Sequence, residues 1–267
     1  MDKKRILLIT EEMDPYLLSN QIGNISRLLA DEINKNGYEI RILMPKFGTI
    51  NERRHRLHEV VRLSGINIII DDDDFPLLIK VASLPGSRMQ VYFLDNEDFF
   101  KRKGVYHDED GHTYEDNAER MVFFCKGVLE TVKKFGWPPD IIHCHGWFSS
   151  IMPMYIKTAY KSDPVFHRSK VIYSVYDNVY EGSLGDSFAT KARINKVEDA
   201  DLKHYGGHTN TEMHLGAIHY SDGIIFSSDQ VDSVLAINIP KKKQVLRYVE
   251  PVEINTYIDF YKKFIAN

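Results

Sequence analysis

The run Pro138-Pro139-Asp140-Ile141-Ile142-His143-Cys144-His145-Gly146-Trp147-Phe148-Ser149-Ser150 constrains the chain more than any other stretch. Two prolines open it and a short apolar segment leads uninterrupted to His143. It therefore reads as a strand buried on both faces, entered by a rigid turn and left at a glycine. Such a strand needs helices above and below it. In an open α/β sheet, ligands sit in the crevice outside the carboxyl ends of the strands, which is where His143, His145 and Trp147 are expected.

The rest of the chain supplies the layers. Ile6–Ile9 is a buried strand, and apolar residues at three- and four-residue spacing from Ile22 to Ile33 predict an amphipathic helix, closed near Gly37. Glu39–Met44, ended by Pro45, completes a parallel βαβ unit. From Leu57 to Leu94 the strand-like runs Leu57–Leu63, Ile66–Ile70, Leu77–Ala82 and Gln90–Leu94 follow one another without a helix, which predicts an antiparallel hairpin insertion or edge. The acids Asp71–Asp74 between two of them read as a solvated loop, since the spaced ligands and turn glycine of a calcium site are missing.

Beyond a short helix at Asn96–Lys101, Asn117–Phe135 is predicted as a long amphipathic helix ended by Gly136. A helix over about 148–160 and a strand at Lys170–Tyr176 repeat the alternation. Ser183–Thr211 is irregular, as functional or mobile loops are, although Thr190–Leu202 could carry a helix. Helices at Glu212–Tyr220, Ser228–Ala236 and Glu253–Ile265 and a strand at Gly223–Ser227 close the pattern. The expectation is one α/β domain over residues 1–267: a single Rossmann-like, doubly wound, mainly parallel sheet with a small β-hairpin insertion.

Composition narrows the function. The 34 basic and 38 acidic residues are interspersed and leave a net charge of −4, which argues against nucleic acid or an anionic membrane as partner. Cys125 and Cys144 are lone residues in apolar patterns, neither a disulfide framework nor a zinc site, and fit a reducing cytoplasm. The apolar run after Lys3-Lys4-Arg5 is too short for a signal peptide, and no segment has the length of a transmembrane helix.

Several motifs coincide with one family. Val91-Tyr92-Phe93-Leu94-Asp95-Asn96, Gly104-Val105-Tyr106 and the stretch Gly111-His112-Thr113-Tyr114-Glu115-Asp116-Asn117-Ala118-Glu119-Arg120-Met121-Val122-Phe123-Phe124 are similar to Y-F-I-D-N, G-L-Y-G and G-x-x-Y-x-D-N-x-E-R-F-x-F-F. Residues 139–147 are similar to P-D-I-I-H-x-H-D-W, and 174–182 to T-I-H-N-x-x-Y-Q-G. The chain thus resembles the N-terminal half of bacterial glycogen synthases and plant starch synthases, glycosyltransferase family five. The resemblance implies a GT-B fold that places ADP-glucose and glucan between two Rossmann-like domains.

The departures fall on the chemistry. Where the family has K-T-G-G-L-x-D, whose glycines and lysine receive phosphate, this chain has Leu18, Ser19, Asn20, Gln21, Ile22, Gly23 and Asn24. The aspartate of H-x-H-D-W is Gly146, and the histidine of T-I-H-N is Tyr176, followed by Asp177. The sequence also stops about where the family's second domain, with its phosphate-binding loop and basic pair, would begin. Without those cations a diphosphate leaving group has nothing to stabilise its charge.

His143 and His145 alternate on a strand and share a face, as two metal ligands would, but no third ligand is identifiable; a structural or sugar-adjacent hydrogen-bonding role is favoured, with no metal or cofactor. His204 and His208 make only a weak metal pair. Trp147 is expected in the core or stacked on sugar. Asp116, Asn117, Glu119 and Arg120 are expected to cap their helix, with a loop-positioning role as the other reading. The candidate cleft is Leu18, Ser19, Asn20, Gln21, Gly23, Asn24, His143, His145, Gly146, Trp147, Tyr176, Asp177 and Tyr180. The expected function is a glycogen-synthase-like protein that binds an α-glucan, a sugar nucleotide or a protein and does not transfer glucose alone. The alternative is half of a split transferase completed by a separate C-terminal GT-B domain; a homodimer would also cover the exposed face.

Overall fold

The structure, a computed structural model, describes residues 3–17, 21–177, 180–231, 233–250 and 252–265. Strands β1 (Arg5–Thr10), β2 (Glu39–Pro45), β3 (His58–Glu59), β4 (Ile66–Ile70), β5 (Asp73–Ser83), β6 (Gln90–Asp95), β7 (Ile141–His145), β8 (Lys170–Val175), β9 (Gly223–Phe226) and β10 (Gln244–Leu246) form one sheet. Their order is β10-β9-β8-β7-β1-β2-β6-β5-β3, with β4 paired to β5. Neighbours from β10 to β6 are parallel, whereas β5 runs antiparallel to β6, β3 and β4. The chain leaves β1 toward β2 and later returns to β1's other side as β7, with Thr10 beside His145. That reversal places the switch point of the sheet between β1 and β7, where α/β folds open a crevice.

Ile6, Leu7, Leu8 and Ile9 are fully buried, as a central parallel strand requires. The helix Gln21–Lys35 buries Ile22, Ile25, Leu29 and Ile33 along one face, matching the predicted spacing. The helix Asn117–Phe135 ends at Gly136, whose left-handed backbone returns its N–H to Lys133 O. The last helix, Asn255–Ile265, buries Tyr257, Ile258, Phe260 and Tyr261 and lies beside the 21–35 helix and against β7. Eleven residues are marginal as a free helix, so tertiary burial of that face holds it.

Three local differences from the sequence reading have plain causes. The stretch Leu57–Leu63 forms a ladder with β5 at His58–Glu59 and adds one bond, Val60 N–H to Ile79 O at 2.8 Å, before the chain turns, with Leu63 N bonded to Val60 O. Ile70 pairs with Asp73, so Asp71-Asp72 is a two-residue turn while Asp73 and Asp74 run into β5; all four acids are exposed. The helix expected over 148–160 is divided into a 3-10 turn at Trp147–Ser149 and a helix at Met152–Lys157, with Pro153 restarting it in its first turn.

Candidate functional site

Gly146 leaves β7 with φ 77° and ψ 169°, a region open in practice only to glycine. A Cβ there would lie 2.4 Å from Glu11 Oε1 and 2.7 Å from its carboxyl carbon. The volume in front of residue 146 is thus occupied by a carboxylate sent from the end of the neighbouring strand. Glu11 is fully buried, and its Oε2 accepts from the Tyr106 hydroxyl at 2.9 Å and from Phe148 N–H at 3.1 Å. Burial and the Glu11 charge together push the Tyr106 hydroxyl well above its usual pKa, which keeps it a donor. Tyr106 meets Trp147 edge-on at 4.7 Å, and Trp147 stacks on Tyr180 at 4.2 Å with their planes 18° apart. Trp147 and Tyr180 are both buried, so they form a wall and not an exposed platform.

His143 and His145 share a face, as strand alternation requires, and both are fully enclosed. His143 Nδ1 bonds the Tyr261 hydroxyl at 2.6 Å and its Nε2 bonds Ser174 Oγ at 2.8 Å. His145 Nδ1 bonds the Tyr176 hydroxyl at 2.7 Å, and its Nε2 lies 3.1 Å from His143 Nδ1. Burial holds His143 well below the usual imidazole pKa and brings His145 down to about 3, so both rings are neutral at pH 7. Every nitrogen of the pair is engaged. A ligand or metal would have to break one of these bonds to reach either ring.

The motif residues at the start of the long helix act on loops. Asp116 occupies the cap position but makes no side-chain cap bond; it receives both terminal nitrogens of Arg102 at 2.6 and 2.5 Å. Glu119 pairs with Lys191. Asn117 Nδ2 donates to Tyr106 O at 3.0 Å and reaches the Tyr180 hydroxyl at 3.4 Å. Arg120, fully buried, donates to Phe99 O at 2.9 Å and to Asn117 Oδ1 at 2.5 Å, and burial lowers its pKa to about 10. These residues fix the segments around 99–106 and 188–192 against the switch point.

Two cavities flank this closed centre on the carboxyl side. One, of about 540 Å³, lies beyond β1 and β2 and is lined by residues including Glu12, Asp14, Tyr16, Asn51, Arg54 and His55. Leu18, Ser19 and Asn20 lie outside the described residues. Gln21 opens its helix, Gly23 is buried with its O accepting from Asp14 N at 3.2 Å, and Asn24 is exposed. The other cavity, of about 470 Å³, lies beyond β8 and β9 and is lined by Tyr176, Asp177, Tyr180, Asn210, His214 and Gln230 among others.

The sequence places His214 among scattered, exposed histidines, but the structure buries it completely. Its Nδ1 is 2.7 Å from the Tyr173 hydroxyl, which itself donates to Gly146 O at 3.1 Å. That assigns the proton to Nδ1 and leaves Nε2 as an acceptor, buried and with no hydrogen-bond partner. Burial lowers the His214 pKa to about 4. Glu11, Tyr257 and Tyr261 were missed. The signals available were the first acid after β1 and a tyrosine pair at i, i+4 on the last helix.

Residues 5–234 match the family model described as the starch synthase catalytic domain. A glycogen synthase of Chlorobium limicola is 37% identical over 216 residues, covering 80% of this chain and 44% of that protein. One of Chlorobaculum tepidum is 35% identical over 227 residues, covering 85% and 46%. The chain therefore spans less than half the length of these relatives. Among solved structures, the catalytic domain of starch synthase IV from Arabidopsis thaliana, bound to ADP and acarbose, superposes with a TM-score of 0.73 at 17% identity, covering 96% of this chain and 53% of that one. A sucrose-phosphate synthase chain of Thermosynechococcus elongatus gives 0.50 at 10% identity, covering 98% and 97%. At such identities the two likenesses concern the fold alone, an α/β sheet of the GT-B kind.

Proposed function

The chain belongs to the starch synthase catalytic-domain family, and from that membership we propose that it serves glycogen metabolism as an α-glucan-binding module that transfers no glucose by itself. The observation that carries the reading is the closed switch point, where Glu11 fills the space before Gly146 and the His143–His145 pair is spent on Tyr261, Ser174 and Tyr176. The cavity beyond β8 and β9 supports the choice of a neutral ligand. Among the described residues its lining offers hydroxyl, amide, aromatic and imidazole groups and one carboxylate, Asp177, but no lysine or arginine. Such a surface suits a polyol better than the diphosphate of a sugar nucleotide, whose charge would go uncompensated. We take residues 1–267 as one domain acting in the cytoplasm; among the described residues no helix is long and apolar enough to cross a membrane. Titration with maltooligosaccharide should show saturable binding, and ADP-glucose with glycogen should release no ADP. Detectable ADP release from the purified chain would overturn the reading.

A second reading, half of a split transferase completed by a separate polypeptide, is favoured by the apolar side chains left exposed after β9. Val234 is 42%, Ile237 79% and Val249 64% exposed. They lie near a groove lined by Phe226, Arg247 and Tyr248. Copurification of a partner chain that restores glucosyl transfer on mixing would replace the first reading with this one. A homodimer burying the same residues would show in sedimentation without any gain in activity.

A further inference from the structure

At the end of the sheet opposite the crevice, the first residues of β2 and β6 border a cavity of about 360 Å³. Its lining includes three cations, Lys3, Arg41 and Arg88, and one carboxylate, Glu39. Glu39 is already engaged, accepting from Arg5 Nε at 3.2 Å and from Trp137 Nε1 at 2.6 Å. Arg41 is held in place by two rings, its guanidinium carbon 4.0 Å from the Phe135 centroid and 4.9 Å from that of Trp137. Its Nη1 is buried and has no hydrogen-bond partner; Glu39 lies near enough to favour its charge, and Arg5 and Arg62 add positive potential on the other side of the balance. An arginine on an ordinary surface pairs with an acid or extends into water. Arg41, half-buried and fixed, forms no ion pair among the described residues, and its Nη1 is withdrawn from water.

We propose that this pocket binds a small phosphorylated metabolite, its phosphate received by Lys3, Arg41 and Arg88 and its hydroxylated body by Asn34, Tyr38, Gln90 and Tyr92. Tyr92 already aligns Gln90, donating to Gln90 Oε1 at 2.9 Å. The volume suits a hexose phosphate, and three cations in one lining suit a dianion better than a carboxylate monoanion. The site shares no residue with the glucan cavity and does not depend on the function proposed for it.

The test is calorimetric titration of the full chain with pyrophosphate and with a hexose monophosphate, using free hexose and sodium chloride at matched ionic strength as controls. Saturable binding of the phosphorylated probes is expected, with affinity about tenfold weaker in Arg41→Gln and in Arg88→Gln, the loss anticipated for one charge-assisted bond. Arg41→Gln also removes the packing on two rings, so Arg88→Gln, whose side chain is exposed, serves as the arm that leaves the fold intact. No saturable binding, an equal response to chloride, or unchanged affinity in Arg88→Gln would overturn the proposal. Maltooligosaccharide binding should be the same in Arg88→Gln as in the parent.

Discussion

Over β1 and β7 the rim of the sheet satisfies itself: Glu11 takes Tyr106 and Phe148 N–H, and the two histidines take Tyr261, Ser174 and Tyr176. Over β8 and β9, only two strands away, the rim is open, and a buried imidazole nitrogen on His214 has no partner. Both halves are rich in polar groups, so composition does not separate them. What separates them is whether those groups are already bonded to one another. A bonded group must lose its partner before it can serve a ligand, whereas an orphaned one gains by meeting a hydroxyl.

The largest effect expected from this difference is acid lability. His143, His145 and His214 have folded pKa values depressed by burial, below the ordinary imidazole value near 6.5. The unfolded chain therefore binds more protons, so this stability is fully present above about pH 6.5 and is lost as pH falls, through about 4 for His214 and about 3 for His145, at up to roughly 1.4 kcal/mol per pH unit for each ring. Urea denaturation between pH 7 and pH 5 measures the slope. His214→Leu should remove about a third of it, leaving the closed half to supply the remainder. An unchanged slope would show that His214 is not the neutral orphan of the open half.

The next effect concerns what fills the closed half. Gly146→Ala should cost about 3 kcal/mol, from backbone strain together with the clash against Glu11. In a Glu11→Ala background the clash disappears but the strain stays, so a double-mutant cycle should show coupling on the order of 1 kcal/mol. Additive losses would mean that Glu11 is not what occupies the space before residue 146. Tyr261→Phe, which removes the hydroxyl from His143 Nδ1, should cost about 1–2 kcal/mol and leave Tyr176 untouched.

The frame of this division was legible in the sequence and its bonding was not. Apolar spacing from Ile22 to Ile33 and the run ending at His145 placed the helix and the central strands, because periodicity reports burial directly. In the motif, Gly146 stands as a lost aspartate. A carboxylate arriving from Glu11 has no local signature, because the contact is set by the pairing of β1 with β7 across 135 positions of chain. Tyr261 and His143 are likewise joined over 118 positions, and an amphipathic pattern says that Tyr261 is buried without saying against what. The motif residues Asp116 and Asn117 looked like caps because caps are local; their partners Arg102, Tyr106 and Tyr180 are supplied by the fold.

The smallest expected effect probes the open half itself. Asp177 is exposed at the mouth of the cavity beyond β8, so Asp177→Ala should leave the melting temperature unchanged while weakening maltooligosaccharide binding roughly three- to tenfold, the equivalent of one hydrogen bond from a sugar hydroxyl. His214→Leu should weaken it comparably, because the orphaned nitrogen can then accept nothing. Tyr261→Phe, in the closed half, should change stability and leave glucan affinity alone. If Tyr261→Phe altered affinity and Asp177→Ala did not, the glucan would have to lie over β1 and β7. The bonds that close that half would then open on binding, and the contrast between the two halves would be one between states of the same rim.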